Sequence, residues 1–210
     1  MSARSSSPRV SIVIPTKDEA KNLEVLLPDL PDVYEVVLVD AGSTDGTVDV
    51  ARRHLSNVRV VEQTRTGKGN ALVCGMYAAA GDVIVTLDAD GSADPCEIPA
   101  FVDALVDGAD FAKGSRYMSG GGSVDLTRLR AAGNWSLNFL SNLSLGTKFT
   151  DLCYGYNAFW SDVLPALKLP DPDQPQPADG SCIWGDGFEI ETLLTVRVAQ
   201  AGLAVTEAQF

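Results

Sequence analysis

Three short apolar runs, each rich in β-branched residues, constrain this chain more than any other feature. They are VSIVI (Val10 to Ile14), YEVVLV (Tyr34 to Val39) and VIVTL (Val83 to Leu87). None alternates apolar with polar residues as a half-solvated strand does, so each reads as a strand buried on both faces. Between them lie stretches with helical character: one ending near Leu27 and capped by Thr16 or Asp18, one over Thr47 to Leu55, and one opening at Gly67 and running through Ala80. A further strand is expected over Val58 to Val61, and a helix over Glu97 to Val106 behind Pro95. Strand–helix alternation of this kind predicts an α/β protein with three αβα layers and a mostly parallel central sheet.

Open parallel sheets bind ligands beyond the carboxyl ends of their strands. Two strands end there on aspartates: Asp40 after the second, and Asp88 and Asp90 in LDADGSADP after the run at Val83. A buried strand that delivers two carboxylates one residue apart onto a Gly-Ser turn is a poor way to build a core. Carboxylate oxygens are hard ligands suited to Mg²⁺ or Mn²⁺, which share coordination with waters and substrate phosphates. A solvated acidic turn would read the same for any one aspartate taken alone. Asp94, before Pro95, suits a turn or helix cap.

Net charge matters at this point. With 28 acidic and 16 basic residues the chain carries −12, which argues against a broad nucleic-acid surface. An acidic protein that binds a phosphorylated ligand needs a divalent cation or a few focused basic residues. Lys68 in Gly67-Lys68-Gly69-Asn70, ahead of a helix, is one such residue. The spacing of a P-loop is missing there, as is a GxGxxG after the first strand, and a turn that serves only to begin a helix has the same composition. Arg116 sits on a Gly-Ser turn at an expected strand end. Arg128 and Arg130 follow in a stretch of helical spacing from Leu126 to Leu145, where surface ion pairing accounts for them equally well.

His54, the one histidine, lies in a helical stretch (VDVARRHL) where a solvated face is expected, which argues against a histidine base and against a multi-histidine metal site. Cys74, Cys96, Cys153 and Cys182 form no CxxC pair and read as reduced structural thiols. No apolar run reaches the about 18 residues of a membrane span. Residues 1–8 read as a disordered lead-in without a signal peptide, residues 9–210 as one domain cut short at its C-terminal end, and Asp171 to Gly180 (DPDQPQPADG) as a mobile surface loop. Trp184 to Phe188 then leads into a helix from Glu189 to Ala201.

Taken in order, VSIVIPTKDEAKNL, LVDAGSTDGT, TGKGNAL, GDVIVTLDADGSADP and GSRY resemble family 2 glycosyltransferases with the GT-A (Rossmann-like) fold, nearest the dolichol- or polyprenyl-phosphate sugar transferases. The similarity spans roughly residues 9 to 207. It implies a nucleotide-sugar pocket lined by Pro15, Thr16, Glu19, Asp40, Lys68 and Ala89. Asp88 and Asp90 become the DxD pair that holds Mg²⁺ or Mn²⁺ and the diphosphate. Arg116 becomes the residue that meets an acceptor phosphate, with Arg130 as a second. That branch often carries Gln two residues after the DxD, where Ser92 stands here. The expected reaction is inverting transfer of a sugar to a polyprenyl phosphate, by a cytoplasmic protein with peripheral contact at the cytoplasmic membrane face. A phosphate monoester is already anionic and needs little general-base help. A soluble hydroxyl acceptor would need a base, for which Asp151 and Glu189 are the candidates. A non-catalytic nucleotide-sugar-binding protein and a nucleotidyltransferase remain open as alternatives.

Overall fold

The computed structural model describes residues 4–116, 138–144 and 146–209. Among the described residues seven strands form one sheet: β1 (Val10–Thr16), β2 (Glu35–Asp40), β3 (Val58–Glu62), β4 (Val83–Thr86), β5 (Phe111–Ser115), β6 (Asn157–Trp160) and β7 (Val205–Gln209). Their order is β3-β2-β1-β4-β6-β5-β7. β3, β2, β1 and β4 pair in parallel, β5 pairs in parallel with β7, and β6 alone runs against its neighbours. The helices are α1 (Ala20–Leu26), α2 (Thr47–His54), α3 (Lys68–Ala78), α4 (Ile98–Val106) and α5 (Ile190–Gln200), with helical residues also at 138–144.

The unalternating strands are buried as their composition requires. Ile12, Val13, Ile14, Val37, Leu38, Val39, Val83, Ile84 and Val85 are wholly inaccessible. α3 reaches the sheet closely because of Gly75, where a Cβ would lie 2.3 Å from Val13 Cγ1 and 2.8 Å from Val39 Cγ2.

Several expectations need correction. β1 does not stop at Ile14 but continues through Pro15 to Thr16. Its pairing with β4 ends at Val13, so Pro15 has a ladder neighbour only on the β2 side and its missing N–H goes unneeded. Neither Thr16 nor Asp18 caps α1. The Glu19 and Ala20 N–H groups donate to Thr47 Oγ1 and Asp45 Oδ2, across the loop that follows β2. In return the Asp18 carboxylate accepts from Thr44 N–H. The two loops on this rim therefore hold each other.

The lead-in is not free from Arg4 onward. The Arg4 guanidinium donates to Asp110 at 2.6 Å and Asp162 at 2.8 Å and lies over Trp160. The loop expected to be mobile at 171–180 is tied down as well. Arg65 Nη1 donates to the carbonyls of Asp171 and Gln174, Thr64 Oγ1 to that of Pro172, and Gln176 Oε1 accepts from Thr66 N–H. Its Pro-rich composition signals the absence of regular structure, and the anchor comes from residues more than a hundred positions earlier.

Candidate active site

The rim formed by the ends of β1, β2 and β4 opens into a cavity of about 470 Å³. Pro15, Thr16, Lys17 and Glu19 from the end of β1, Ala41 after β2, Gly67 and Lys68 at the start of α3, and Asp88, Ala89 and Asp90 after β4 line it. Gln63, Thr66, Ala71 and Phe188 complete the wall. Thr66 and Ala71 lie within TGKGNAL, whereas Gln63 and Phe188 reach the cavity through the paths of their loops.

Asp40 stands just behind Ala41. Its Oδ2 accepts from the N–H groups of Gly42 and Ser43, which tightens the turn. Its Oδ1 is buried without a partner among the described residues. An orphaned buried acceptor is costly, so a donor from a ligand would be favourable there.

Lys68 is placed by a turn that has little freedom. The N–H groups of Gly69 and Asn70 donate to the Asp186 carbonyl at 2.7 and 3.2 Å. A Cβ on Gly69 would lie 1.9 Å from the Gly185 carbonyl oxygen, so only glycine fits this approach. From that turn Lys68 Nζ donates to Asp88 Oδ2 at 2.8 Å and also to Glu191 Oε1 on α5. Burial pulls the Lys68 pKa down, but the charges of Asp88 and Glu191 outweigh it and hold the ammonium above its usual range. Burial pushes the Glu191 carboxyl upward, and Lys68 offsets this only in part because Asp88 adds a like charge. Two carboxylates thus share one ammonium, and Gly155 makes room for them: a Cβ there would meet Glu191 Oε1 at 2.7 Å and Asp88 Oδ2 at 3.3 Å.

Glu191 belongs to the site, whereas Glu189, the expected candidate, faces its own turn. Glu189 Oε1 accepts from the N–H groups of Gly185 and Gly187, and its own backbone N–H together with these bonds holds its carboxyl below the usual range. A carboxylate at the start of a helix serves the local backbone first. Glu191 projects from the helix two residues later, a difference that the sequence pattern EIE does not disclose.

A second cavity, of about 580 Å³, lies on the other side of the DxD turn. Asp90, Ser92, Asp94, Ser115, Arg116 and Tyr154 are among its lining residues, and Asp90 borders both cavities. Arg116 binds the fully buried Asp151 through Nε at 2.8 Å and Nη2 at 3.1 Å, and its guanidinium lies over the Tyr154 ring. Asp94 accepts from Cys96 N–H and caps the short helix at Pro95, as expected for that position. Arg128 and Arg130 fall outside the described residues.

The donor set suits a hard divalent cation. Asp88 and Asp90 present carboxylates to the first cavity, next to a locally negative group whose single ammonium is shared. No cluster of three His, Cys, Asp or Glu side chains capable of holding a metal occurs among the described residues. Further ligands would have to come from a substrate's phosphates and from water, which is how Mg²⁺ and Mn²⁺ commonly bind.

A mostly parallel sheet with an aspartate pair on its rim, between two adjoining cavities, is the arrangement of the GT-A glycosyltransferases. Residues 11–167 match the family model for Glycosyl transferase family 2. The chain is 32% identical to an undecaprenyl-phosphate mannosyltransferase of Micrococcus luteus, over 95% of this chain and 81% of the relative. It is also 32% identical to a polyprenol monophosphomannose synthase of Mycolicibacterium smegmatis, over 95% and 75%. Among solved structures it resembles glucosyl-3-phosphoglycerate synthase of Mycobacterium tuberculosis, crystallised with Mn²⁺, UDP and glucosyl-3-phosphoglycerate. The TM-score there is 0.70 at 22% identity, covering 97% of this chain and 70% of that one, a likeness of fold. The chain belongs to glycosyltransferase family 2 and is a nucleotide-sugar-dependent glycosyltransferase.

Proposed function

We propose that the protein transfers a sugar from a nucleotide-sugar to a polyprenyl phosphate, with inversion at the anomeric carbon, and that it does so at the cytoplasmic face of a membrane. The observation that carries this reading is the position of Asp90 on the wall between two cavities, one able to take a donor and one an acceptor. The donor's nucleoside would lie along Pro15, Thr16 and Glu19, with Asp40 Oδ1 accepting from the base or ribose. Asp88 and Asp90 would hold Mg²⁺ or Mn²⁺, which when bound neutralises the diphosphate and improves it as a leaving group. Lys68 adds a fixed positive charge beside the same group.

On the acceptor side, the Arg116 guanidinium, oriented by Asp151 and Tyr154, is the cation that would position a phosphate. A phosphate oxygen then attacks the anomeric carbon from the face opposite the diphosphate. The new C–O bond forms as the bond to the diphosphate breaks, and the electron pair leaves with the nucleoside diphosphate. A phosphate monoester, already ionised, makes no call on a protein base. The commitment of Asp151 to Arg116 and of Glu189 to backbone amides supports that acceptor over a hydroxyl, which would call on one of them. Among the described residues no helix is long and apolar enough to cross a membrane.

The test is transfer of labelled sugar from GDP- and UDP-sugars to a short-chain polyprenyl phosphate in detergent with Mn²⁺. Label in the organic phase is expected, and label found only in free sugar or soluble acceptors would refute the reading. Arg116→Ala is best made together with Asp151→Asn, so that the carboxylate Arg116 binds is neutralised with it. That pair is expected to lower transfer by about tenfold or more, with nucleoside diphosphate affinity changed by no more than about twofold. Equal loss of both would remove Arg116 from the acceptor side.

A further inference from the structure

We infer that Lys68 is a placeholder cation, which makes metal binding at Asp88 conditional on the nucleotide diphosphate, with Glu191 as the second carboxylate that holds its ammonium. The inference rests on the donor-site reading given above.

The ammonium is built into its position. Its turn is clamped to Asp186 by two backbone hydrogen bonds, and a Cβ on Gly67 would fall 2.1 Å from the Asp186 carbonyl oxygen. The aliphatic part of Lys68 is largely covered, with 15% of the side chain exposed, against 24% for Asp88 and 11% for Glu191. Phe188 lies over the ammonium at 5.7 Å. One Asp88 oxygen is therefore already engaged with a positive charge before any metal arrives. A divalent ion approaching that carboxylate meets a cation a few ångströms away in a partly desolvated setting, where like charges repel strongly.

A nucleotide diphosphate changes this balance. Its negative charge compensates both the ammonium and the metal, so metal and nucleotide bind together more readily than the metal alone. Glu191 gives the ammonium an anchor that does not belong to the DxD pair. Lys68 can stay charged and close while Asp88 turns toward the metal. Glu191 thus acts as a positioning residue, and Gly155 supplies the space in which its carboxylate and that of Asp88 approach the same nitrogen.

The experiment is Mn²⁺ titration followed by electron paramagnetic resonance, with the metal alone and with GDP or UDP present. Lys68→Met, which keeps the length of the side chain without its charge, is expected to bind Mn²⁺ alone about tenfold more tightly than the wild type. It should also lose most of the gain that nucleotide gives the wild type. Lys68→Arg restores the charge and should return Mn²⁺ affinity to near the wild-type level. A folded Lys68→Met, judged by circular dichroism, that binds Mn²⁺ alone no more tightly than the wild type overturns the inference. So does a Lys68→Arg that behaves like Lys68→Met. Asp90→Asn separates this failure from failure of the donor-site reading. Full Mn²⁺ and nucleotide binding by Asp90→Asn would refute that reading. Its loss in Asp90→Asn, with no gain in Lys68→Met, refutes the placeholder alone.

Discussion

Replacing Arg65 by Met should cost this protein a large part of its stability. Arg65 and Asp186 face each other as a two-pronged pair, Nε to Oδ2 at 2.8 Å and Nη2 to Oδ1 at 2.9 Å, with both side chains fully buried. Removing one partner leaves a buried carboxylate without its counter-charge, which costs about 3–5 kcal/mol. The other described contact to that carboxylate is Ile183 N–H at 3.3 Å, too weak to make up the difference. The carbonyls of Asp171 and Gln174 that Arg65 Nη1 also satisfies belong to exposed residues and can turn to water, so they add little. Each kcal/mol moves the melting temperature of a domain this size by about 2–4 °C, which puts the expected fall between about 6 and 20 °C. Thermal and urea unfolding followed by circular dichroism measure it. The double variant Arg65→Met with Asp186→Asn leaves no unpaired charge and should recover more than half of the loss. A single variant that melts within about 2 °C of the wild type would refute the reasoning, and so would a double variant less stable than the single one. The Asp186 carbonyl also receives Gly69 and Asn70 N–H, so the single variant should weaken nucleoside diphosphate binding as well.

Two further outcomes follow from the interior. Burial lowers the Lys113 pKa to about 8, while Asp151, Glu191 and Glu207 hold it up in part. The unfolded chain therefore binds this proton over a window from about pH 8 to 10.4 in which the folded chain releases it. Stability from this group rises with pH across that window, and Lys113→Met should remove that rise, on the order of 2–3 kcal/mol, when urea unfolding of the two proteins is compared at pH 7.5 and 10. An unchanged difference between the two proteins at both pH values would count against a buried, titrating amine. Gly75→Ala adds a methyl where Val13 and Val39 already touch the α3 backbone, and it should destabilise by about 1–3 kcal/mol despite alanine's better helix propensity, as urea unfolding will register.

Much of the fold could be read from short windows of sequence. Unbroken β-branched runs become buried parallel strands because neither face has a polar side to present, and carboxylates at their ends must then lie on one rim. That argument put Asp40, Asp88 and Asp90 on one rim, whereas Thr16 and Lys68 were joined to them only by the family resemblance. Two assignments differ from the contacts in the structure because they depended on which distant group a side chain would meet. Asp18 looked like a cap for its own helix, yet Asp45 and Thr47 perform that task from the next loop. Glu189 looked like the site carboxylate, yet Glu191 is the one that meets Lys68.

Local propensity and periodicity act over about ten residues, and they determined the strands, the helices, the parallel sheet and the acidic rim. The ion pairs are different. Lys68 and Glu191 are 123 positions apart, and Arg65 and Asp186 are 121. Such pairs form only once β5, β6 and α5 have been laid against the first half of the sheet, and no pattern within either segment encodes the partner. Burial then makes the choice of partner strict, because a charge removed from water must meet its counter-charge or remain unfolded. The amino-acid order by itself decided that carboxylates collect on one rim of the sheet, and the tertiary structure decided which ammonium meets them there.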